Sequence, residues 1–334
     1  MSRLITMHSP AELSRWKDVG PLPALTPAEF VQHAPDAHTL LIGSDGSTTG
    51  RCSLWWRETP LLSGERVGVV GHYAALDAEA GRLLLGQACA HLAGVGCTLA
   101  LAPMDGSTWR RYRLVTDRGS EPPFFLEPDH PEEWLRHFAG TGFAPWAGYL
   151  STVVEDLAIE DPRLDGAERR LAAAGIRIRP LDARQPEQDL RYIYRVAVVG
   201  FAGSPLYTPI PEAEFLDLYR PVLPHVRPEL VLLAEDAEGP VGFVFGIPDL
   251  LQQRRGAPVD TVIVKTLAVL PGRRAAGLGR LLVARCHQAA RRLGLTRAIH
   301  ALMHAGNASR NICGGRARPI RRYALFARRL GEGA

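Results

Sequence analysis

Residues 274 to 279 read Arg-Ala-Ala-Gly-Leu-Gly, a spacing of one arginine and two glycines that could bind an anion. Glycine has no Cβ, so a phosphate can approach the main chain of Gly277 and Gly279 closely. If a helix begins here, the free N–H groups of its first turn and its dipole favour negative charge. Arg273 and Arg280 add formal positive charge. We therefore predict a diphosphate site, with a strand–helix turn that binds no ligand as the alternative for a bare Gly-x-Gly.

The flanking sequence supplies the elements that such a site requires. Thr261–Leu270 is an apolar and β-branched run of strand length. Apolar residues then recur at helical spacing from Leu278 to Leu293, and Gly294 ends this helix as a C-cap. Arg297–His304 returns as a second strand. Two other kinds of phosphate-binding loop are excluded. A Walker loop has Lys-Ser/Thr after its second glycine, and no such pair follows Gly279. A dinucleotide fingerprint has a third glycine three residues later, and position 282 is Leu.

An Arg-x-x-Gly-x-Gly loop between an apolar strand and a helix resembles the pyrophosphate loop of the GNAT superfamily of acyl-CoA-dependent N-acyltransferases. The resemblance covers roughly residues 176 to 330. It implies that loop amides hold the pyrophosphate of acetyl-CoA, that the preceding strand offers its backbone to the pantetheine, and that an Asn after the next strand meets the cofactor. Carried over to this chain, the implied cofactor-binding residues are Leu267, Ala268, Val269, Arg274, Ala275, Ala276, Gly277, Leu278, Gly279, Arg280 and Asn307.

Acyl transfer from a thioester to an amine needs a neutral amine, a polarised carbonyl and a proton for the leaving thiolate. The resemblance implies that a backbone N–H near Val269 polarises the carbonyl and that a Glu on or beside the central strands is the base. Thr261–Leu270 contains no carboxylate, so the chain departs from the family there. We predict that His304, at the loop end of its strand and on the same face as His300, is the base. A hydrogen-bonded structural histidine is the alternative.

The acid is harder to assign. The resemblance implies a Tyr about seven residues after Asn307, and none stands there. Ser309 or water is the predicted replacement, since Tyr323 begins the predicted last strand, Tyr323–Arg328. Lys265, one of only two lysines in the chain, is either a site residue or a solvent-exposed one.

The whole chain sets the context of this site. Its 334 residues, of which 46% are hydrophobic, suit two domains of ordinary size. A net charge of +4 and few aromatics among the arginine runs argue against nucleic acid as a partner. No apolar stretch is long enough to predict a membrane span, and the N-terminus lacks a signal pattern. The five scattered cysteines contain no Cys-x-x-Cys pair, so we expect reduced thiols and a cytoplasmic protein with no metal.

The first half of the chain contains a similar order of elements. A shift of 198 positions aligns residues 78–101 with 276–299 without a gap, and eight of these 24 pairs are identical. The shared Gly-Arg-Leu-Leu, at 81–84 and 279–282, favours an internal duplication over chance matching of Ala- and Leu-rich helices. In this alignment Leu76 faces Arg274 and Glu79 faces Gly277. A carboxylate there would repel a diphosphate, so we predict that the first copy does not bind CoA.

The predicted fold is α/β (α+β), with two GNAT-like domains that are each a mixed, twisted sheet flanked by helices. Residues 1–158 form the degenerate copy, 159–175 a linker and helix, and 176–334 the acetyltransferase domain. The predicted activity is transfer of an acetyl group from acetyl-CoA to a small-molecule or peptide amine. Candidate acceptor-side aromatics, with core packing as their alternative, are Trp55, Trp56, Trp109, Tyr112, Phe201, Tyr207 and Phe215.

Two other functions are compatible with the sequence. A non-catalytic acyl-CoA-binding or sensor protein would explain the missing Glu and Tyr. An aminoacyltransferase that uses aminoacyl-tRNA is disfavoured by the modest charge. The sequence identifies neither the acceptor nor the oligomeric state, for which a homodimer is one option.

Overall fold

The computed structural model describes residues 2–16, 19–158, 164–272, 276–306 and 315–331. We call the described residues up to 158 the first half and those from 164 onward the second half. The first half contains strands β1 (Arg3–Met7), β2 (Ala37–Ile42), β3 (Thr48–Trp55), β4 (Val67–Ala75), β5 (Leu99–Ala102), β6 (Leu114–Asp117) and β7 (Ala144–Val154), and helices α1 (Pro10–Arg15), α2 (Pro27–His33), α3 (Ala78–Gly94) and α4 (Glu133–Gly140).

The second half repeats this alternation. Its strands are β8 (Arg177–Pro180), β9 (Val231–Asp236), β10 (Gly239–Pro248), β11 (Thr261–Val269), β12 (Arg297–His304) and β13 (Arg318–Arg329). Its helices are α5 (Leu164–Ala173), α6 (Pro186–Gly200), α7 (Glu212–Tyr219), α8 (Leu250–Arg254) and α9 (Leu278–Arg292), with short 3₁₀ turns at Leu223–His225 and Pro228–Leu230.

The strands of the described residues form one continuous sheet in the order β1-β2-β3-β4-β5-β13-β7-β12-β11-β10-β9-β8, and β6 pairs with β13 beside this path. The order is symmetric about the β13–β7 boundary, because β1 to β5 on one side correspond to β8 to β12 on the other. The pairings β4–β5 and β11–β12 are parallel, and the other pairings are antiparallel. The predicted mixed sheet with flanking helices is confirmed.

The last strand of each half lies in the sheet of the other half. β13 pairs with β5 of the first half, with Phe326 opposite Ala102. β7, the last strand of the first half, pairs with β12, with Ala298 opposite Val154. β13 and β7 then pair with each other along most of their length. Each half therefore completes its sheet with a strand from the other, and the predicted boundary at 158 separates segments of one sheet.

Apolar layers cover both faces of this sheet. In the second half, α6 and α7 pack on one face through residues such as Ile193 and Phe215, which are fully buried. Helix α9 covers the other face through Leu278, Leu282 and Cys286. Helix α3 packs in the same way on the first half. Both central helices are thus held by burial of their apolar stripes, which is the main source of helix stability in proteins.

One local prediction needed correction. The last strand begins at Arg318 instead of Tyr323. The four described cysteines, Cys52, Cys89, Cys97 and Cys286, are free and buried. No helix in the described ranges is long and apolar enough to cross a membrane.

A chain of buried polar side chains crosses the sheet of the first half. His33 Nδ1 lies 2.8 Å from His72 Nε2, and His72 Nδ1 lies 2.8 Å from Ser53 Oγ. Ser53 Oγ in turn lies 2.8 Å from His38 Nδ1. Burial, reinforced by neighbouring positive charge such as Arg51, lowers the pKa of His38 to about 3 and that of His72 to about 2. These imidazoles are therefore neutral in the folded protein.

We predict that stability falls as the pH drops below about 6.5, because the unfolded chain then binds protons that the folded histidines do not. Each fully depressed histidine should cost about 1.4 kcal/mol per pH unit in this range. Urea unfolding at pH 7.5, 6 and 5 measures the effect. His38→Asn, whose amide can still bond Ser53, should reduce the slope. A midpoint that is constant from pH 7.5 to 5 would contradict the prediction.

Candidate functional site

The two central strands of the second half separate part-way along their length. The parallel pairing of β11 with β12 runs from Thr261–Arg297 to Val264–His300 and then ends. β11 continues to Val269 and β12 to His304, so the facing backbone edges of both strands are without a β partner beyond this point. The result is a wedge-shaped opening within the sheet.

A β-bulge on each strand lies where this opening begins. The register between β10 and β11 shifts between Phe245 and Gly246, which leaves Lys265 without an opposite residue on β10. The register between β12 and β7 shifts between His300 and Met303, and Leu302 has a φ of 60°. Bulges bend a strand and re-aim a side chain. The two bulges therefore open the wedge and direct Lys265 away from the regular sheet pattern.

A cavity of about 1110 Å³ fills the wedge. Its walls come from both halves of the protein: the two central strands, the segments 108–113 and 126–129 of the first half, and the loop after α6. This volume exceeds that of a typical site for a drug-sized molecule. The cavity can therefore hold the reacting ends of two molecules.

Lys265 is the titratable group at the apex of the wedge. Its Nζ donates to the carbonyl oxygen of Leu126 at 3.1 Å. Burial, and to a smaller extent the charge of Arg113, lowers the pKa of Lys265 to about 8, while Glu127 acts in the opposite direction. Near neutral pH a fraction of this side chain is thus an uncharged amine that can accept a proton.

Glu127 also lines the cavity, but its carboxylate is fully engaged. It forms an ion pair with Arg321, in which both side chains are 3% exposed. It also accepts hydrogen bonds from the backbone N–H of Phe124 and from the hydroxyl of Tyr323. These contacts occupy the Glu127 carboxylate, so we take Lys265 as the candidate base of the cavity.

The two histidines that the sequence placed on one face of β12 both line the cavity but have different contacts. His300 Nε2 lies 3.1 Å from His287 Nε2 on α9, and burial lowers the pKa of His300 to about 4. His304 lies in the cavity wall, with its ring against Tyr149 at a centroid distance of 5.2 Å. Its Nδ1 accepts from the N–H of Gly306 at 3.1 Å, which in the neutral ring assigns the proton to Nε2. In this orientation His304 presents a donor, and its role as base stays a prediction.

The predicted acid residues have different outcomes. Tyr323 is 1% exposed and lies within the sheet. Its hydroxyl contacts Ser151 Oγ at 3.0 Å and Glu127, and its pKa is raised by burial, so it cannot serve the cavity as an acid. Ser309 and Asn307 lie outside the described residues.

The start of α9 has the form expected of an anion site. Gly277, its N-cap residue, has a φ of 87° and provides no side-chain cap for the first-turn amides. The left-handed conformation favours glycine at this position. Arg170 of α5 lies above it, and its Nη2 donates to the carbonyl oxygen of Ala276 at 3.2 Å. Arg170 is a positive group that the sequence analysis missed, because it lies more than 100 positions away. Arg273, Arg274 and Ala275 lie outside the described residues.

The first half lacks this arrangement. Helix α3 is capped by Asp77, whose carboxylate accepts from the N–H of Ala80 at 2.8 Å. Only residues 76 and 77 connect β4 to α3, whereas residues 270 to 277 connect β11 to α9. The connection is therefore six residues shorter in the first half than in the second. The ungapped alignment of Leu76 with Arg274 is therefore wrong. The first half lacks the long connection that precedes α9 in the second half.

The opening between β4 and β5 is also filled. Their parallel pairing ends at Val69–Leu101. The chain then crosses the gap, and Met104 donates from its N–H to the carbonyl oxygen of Val70 at 2.9 Å. A Cβ on Gly71 would lie 2.0 Å from the carbonyl oxygen of Met104. The wedge of the first half therefore has no room for a ligand.

The candidate acceptor aromatics divide into two groups. Trp109, Tyr112, Phe201 and Tyr207 line the cavity. Phe215 lies beneath them as a fully buried core residue, in edge contact with Trp109. Trp55 packs in the first-half core and Trp56 lies against His91, both away from the cavity wall.

The profile of the acetyltransferase (GNAT) family matches residues 202–312. This segment contains the wedge, the α9 terminus and β12. Residues 202–312 are a GNAT domain. No curated protein sequence matches the chain.

Solved structures share the GNAT fold over almost the whole chain. A probable N-acyltransferase of unknown function from Enterococcus faecalis V583 aligns with a TM-score of 0.56 and 11% identity, covering 99% of this chain and 73% of its own. A GCN5-related N-acetyltransferase from Anabaena variabilis aligns with a TM-score of 0.53 and 9% identity. The alignment covers 98% of this chain and 73% of that protein chain. The structure of a fungal multi-domain β-N-acetylglucosaminidase with a glucosamine N-acetyltransferase region aligns with a TM-score of 0.53 and 13% identity. This chain spans 38% of the length of that chain. At these identities the likeness concerns the fold alone.

Proposed function

We propose that the protein transfers an acetyl group from acetyl-CoA to an amine, and that acetyl-CoA binds only to the GNAT domain of the second half. The observation that carries the proposal is the parting of β11 from β12 beside Lys265, on the strand that leads to the uncapped start of α9. A diphosphate at Gly277 would meet first-turn amides and Arg170. The free backbone of residues 267–269 would accept the pantetheine as an added strand does.

In the proposed reaction the amine nitrogen attacks the thioester carbonyl carbon within the wedge. A C–N bond forms and the C–S bond breaks. Lys265 accepts the proton that the amine loses, and this proton is then available to the leaving thiolate. The unpaired backbone at the two bulges can donate to the carbonyl oxygen, and His304 Nε2–H is a further donor in the wall.

The proposal predicts one acetyl-CoA site per chain of micromolar affinity by calorimetry. With an amine acceptor, the protein should release one free thiol per acetylated amine. Two sites per chain would contradict the assignment of the first half as non-binding. No binding would dismiss the acyltransferase assignment altogether. Binding without thiol release from a broad amine panel would favour the alternative of an acyl-CoA-binding or sensor protein.

A further inference from the structure

Arg113 of the first half reaches into the wall of the cavity that the second half opens. Its side chain is 8% exposed, and its Nη1 donates to the carbonyl oxygen of Leu302 at 3.1 Å. The guanidinium lies between the rings of Tyr112 and Tyr149, at 3.9 and 4.2 Å from their centroids. Its Nε is buried and has no hydrogen-bond partner among the residues that the structure describes. A buried cation is thus held in place by neutral groups, with one donor unused.

Within the described ranges, no carboxylate forms an ion pair with Arg113. The two carboxylates of the same wall already have other partners. Glu127 is bonded to Arg321 at 2.9 Å and Asp129 to Arg118 at 2.9 Å. A buried charge is costly unless an opposite charge or hydrogen bonds compensate it. With Lys265 in the same cavity, the wall carries an excess of positive charge that a bound anion would balance.

The planar guanidinium suits a planar anion. Arginine presents parallel N–H groups that match the two oxygens of a carboxylate. The Tyr112 and Tyr149 rings stand at 86° to each other and both contact the guanidinium, which restricts the fork, so little side-chain freedom is lost on binding. The geometry therefore favours a carboxylate that approaches in the plane of Arg113.

We propose that Arg113 binds the carboxylate of the acceptor, and that the acceptor is an α-amino acid or a close relative with an amine next to a carboxylate. This inference rests on the proposed acetyl transfer. Arg113 and Lys265 lie in one cavity wall, close enough for the charge of Arg113 to act on Lys265. In an α-amino acid a single carbon joins the amine to the carboxylate. Anchoring the carboxylate at Arg113 would keep the amine on the Lys265 side of the wedge.

The first test compares matched acceptors on the wild-type protein. L-Phenylalanine and 2-phenylethylamine, L-leucine and isoamylamine, and L-lysine and cadaverine differ only by the carboxylate. Thiol release from acetyl-CoA should give kcat/KM at least tenfold higher for the best amino acid than for its amine. Equal or higher values for the amines in all three pairs would overturn the proposal.

The second test asks whether Arg113 is responsible for that preference. Arg113→Met should lower the ratio of amino acid to amine to about one, and Arg113→Lys should keep part of it. Acetyl-CoA affinity measured by calorimetry, and the unfolding midpoint, check that each variant is folded. A ratio that is unchanged in folded Arg113→Met would refute the role of this residue.

The carboxylate could instead belong to the acyl group of a dicarboxylic acyl-CoA. Succinyl-CoA is therefore offered with 2-phenylethylamine as a third arm. Turnover with succinyl-CoA that exceeds turnover with acetyl-CoA in the wild type, but not in Arg113→Met, would show that Arg113 binds the acyl donor. This result would reject its role in binding the acceptor.

A binding measurement separates this inference from the proposed reaction. Calorimetry with 3-phenylpropanoate, which has the carboxylate but no amine, needs no turnover. Binding to the CoA-loaded wild type, and weaker binding to Arg113→Met, would support the anion site even if no acceptor released thiol. The absence of such binding, beside active acetyl transfer, would reject the anion site alone.

Discussion

Replacing Lys265 with methionine is expected to lower kcat for acetyl transfer by about 100-fold or more, which is the usual loss when a general base is removed. Methionine keeps the length and apolar stem of the side chain but cannot accept a proton. Because Lys265 lies at the bulge rather than at the start of α9, the affinity for acetyl-CoA should change little. Thiol release measures turnover, and calorimetry measures binding.

The pH dependence gives this prediction its sharpest form. The pKa of Lys265 is lowered to about 8, so its neutral fraction rises as the pH rises through that value. The ratio of kcat/KM between wild type and Lys265→Met should therefore increase up to about pH 8 and then level. Protonation of the acceptor amine affects kcat/KM equally in both proteins, so its contribution cancels in the ratio.

Lys265→Arg is the matched control for charge. Arginine keeps a cation at the bulge but stays protonated, since its pKa lies above 12. If Lys265 accepts a proton, this variant should be nearly as inactive as Lys265→Met. Full activity in Lys265→Arg would mean that the position supplies positive charge only, and His304 would become the leading candidate for the base.

The second large effect is expected from Gly277→Asp. This change would place a carboxylate at the N-cap position of α9, the position that Asp77 holds in α3. The new side chain would crowd the first-turn amides, and its charge would repel a diphosphate. We expect the dissociation constant of acetyl-CoA to rise about 100-fold, or roughly 2.7 kcal/mol. Calorimetry with acetyl-CoA measures the change.

Gly277→Asn separates the two causes of this loss. Asparagine tolerates the left-handed conformation of Gly277 about as well as aspartate and would crowd the same amides, but it carries no charge. It should weaken binding about tenfold. Equal losses in both variants would show that crowding alone matters, and no loss in either would contradict binding at this terminus. Gly294→Asn, at a φ of 84° beyond the other end of α9, controls for backbone strain.

The local part of this site could be predicted from the sequence because its signals are short-range. The apolar run of β11, the helical spacing of α9 and the glycines between them each depend on neighbours within a few positions. The same is true of the start of α2, where Thr26 and Glu29, three positions apart, form a complete capping box.

The chemistry of the cavity depends on register and on distant segments, which no local pattern encodes. In the sequence, Lys265 looks like any other residue of a strand. Only the one-residue register shift between β11 and β10 leaves it without an opposite residue. Arg113 and Arg170 reach the site from elements that lie more than 100 positions from the residues they contact. The strand exchange is hidden for a similar reason, because no local pattern in β7 or β13 selects the sheet in which each strand pairs.

The placement of β13 has a consequence for how the protein is made. β5 and β7 can be joined across the first sheet only after residues 318–329 have been synthesised, because those residues lie between them. Contacts separated by about 200 positions raise the entropy cost of the folding transition state and slow folding. During translation, the first half exposes two unpaired strand edges until residues 318–329 have been made, and such edges are sites of aggregation.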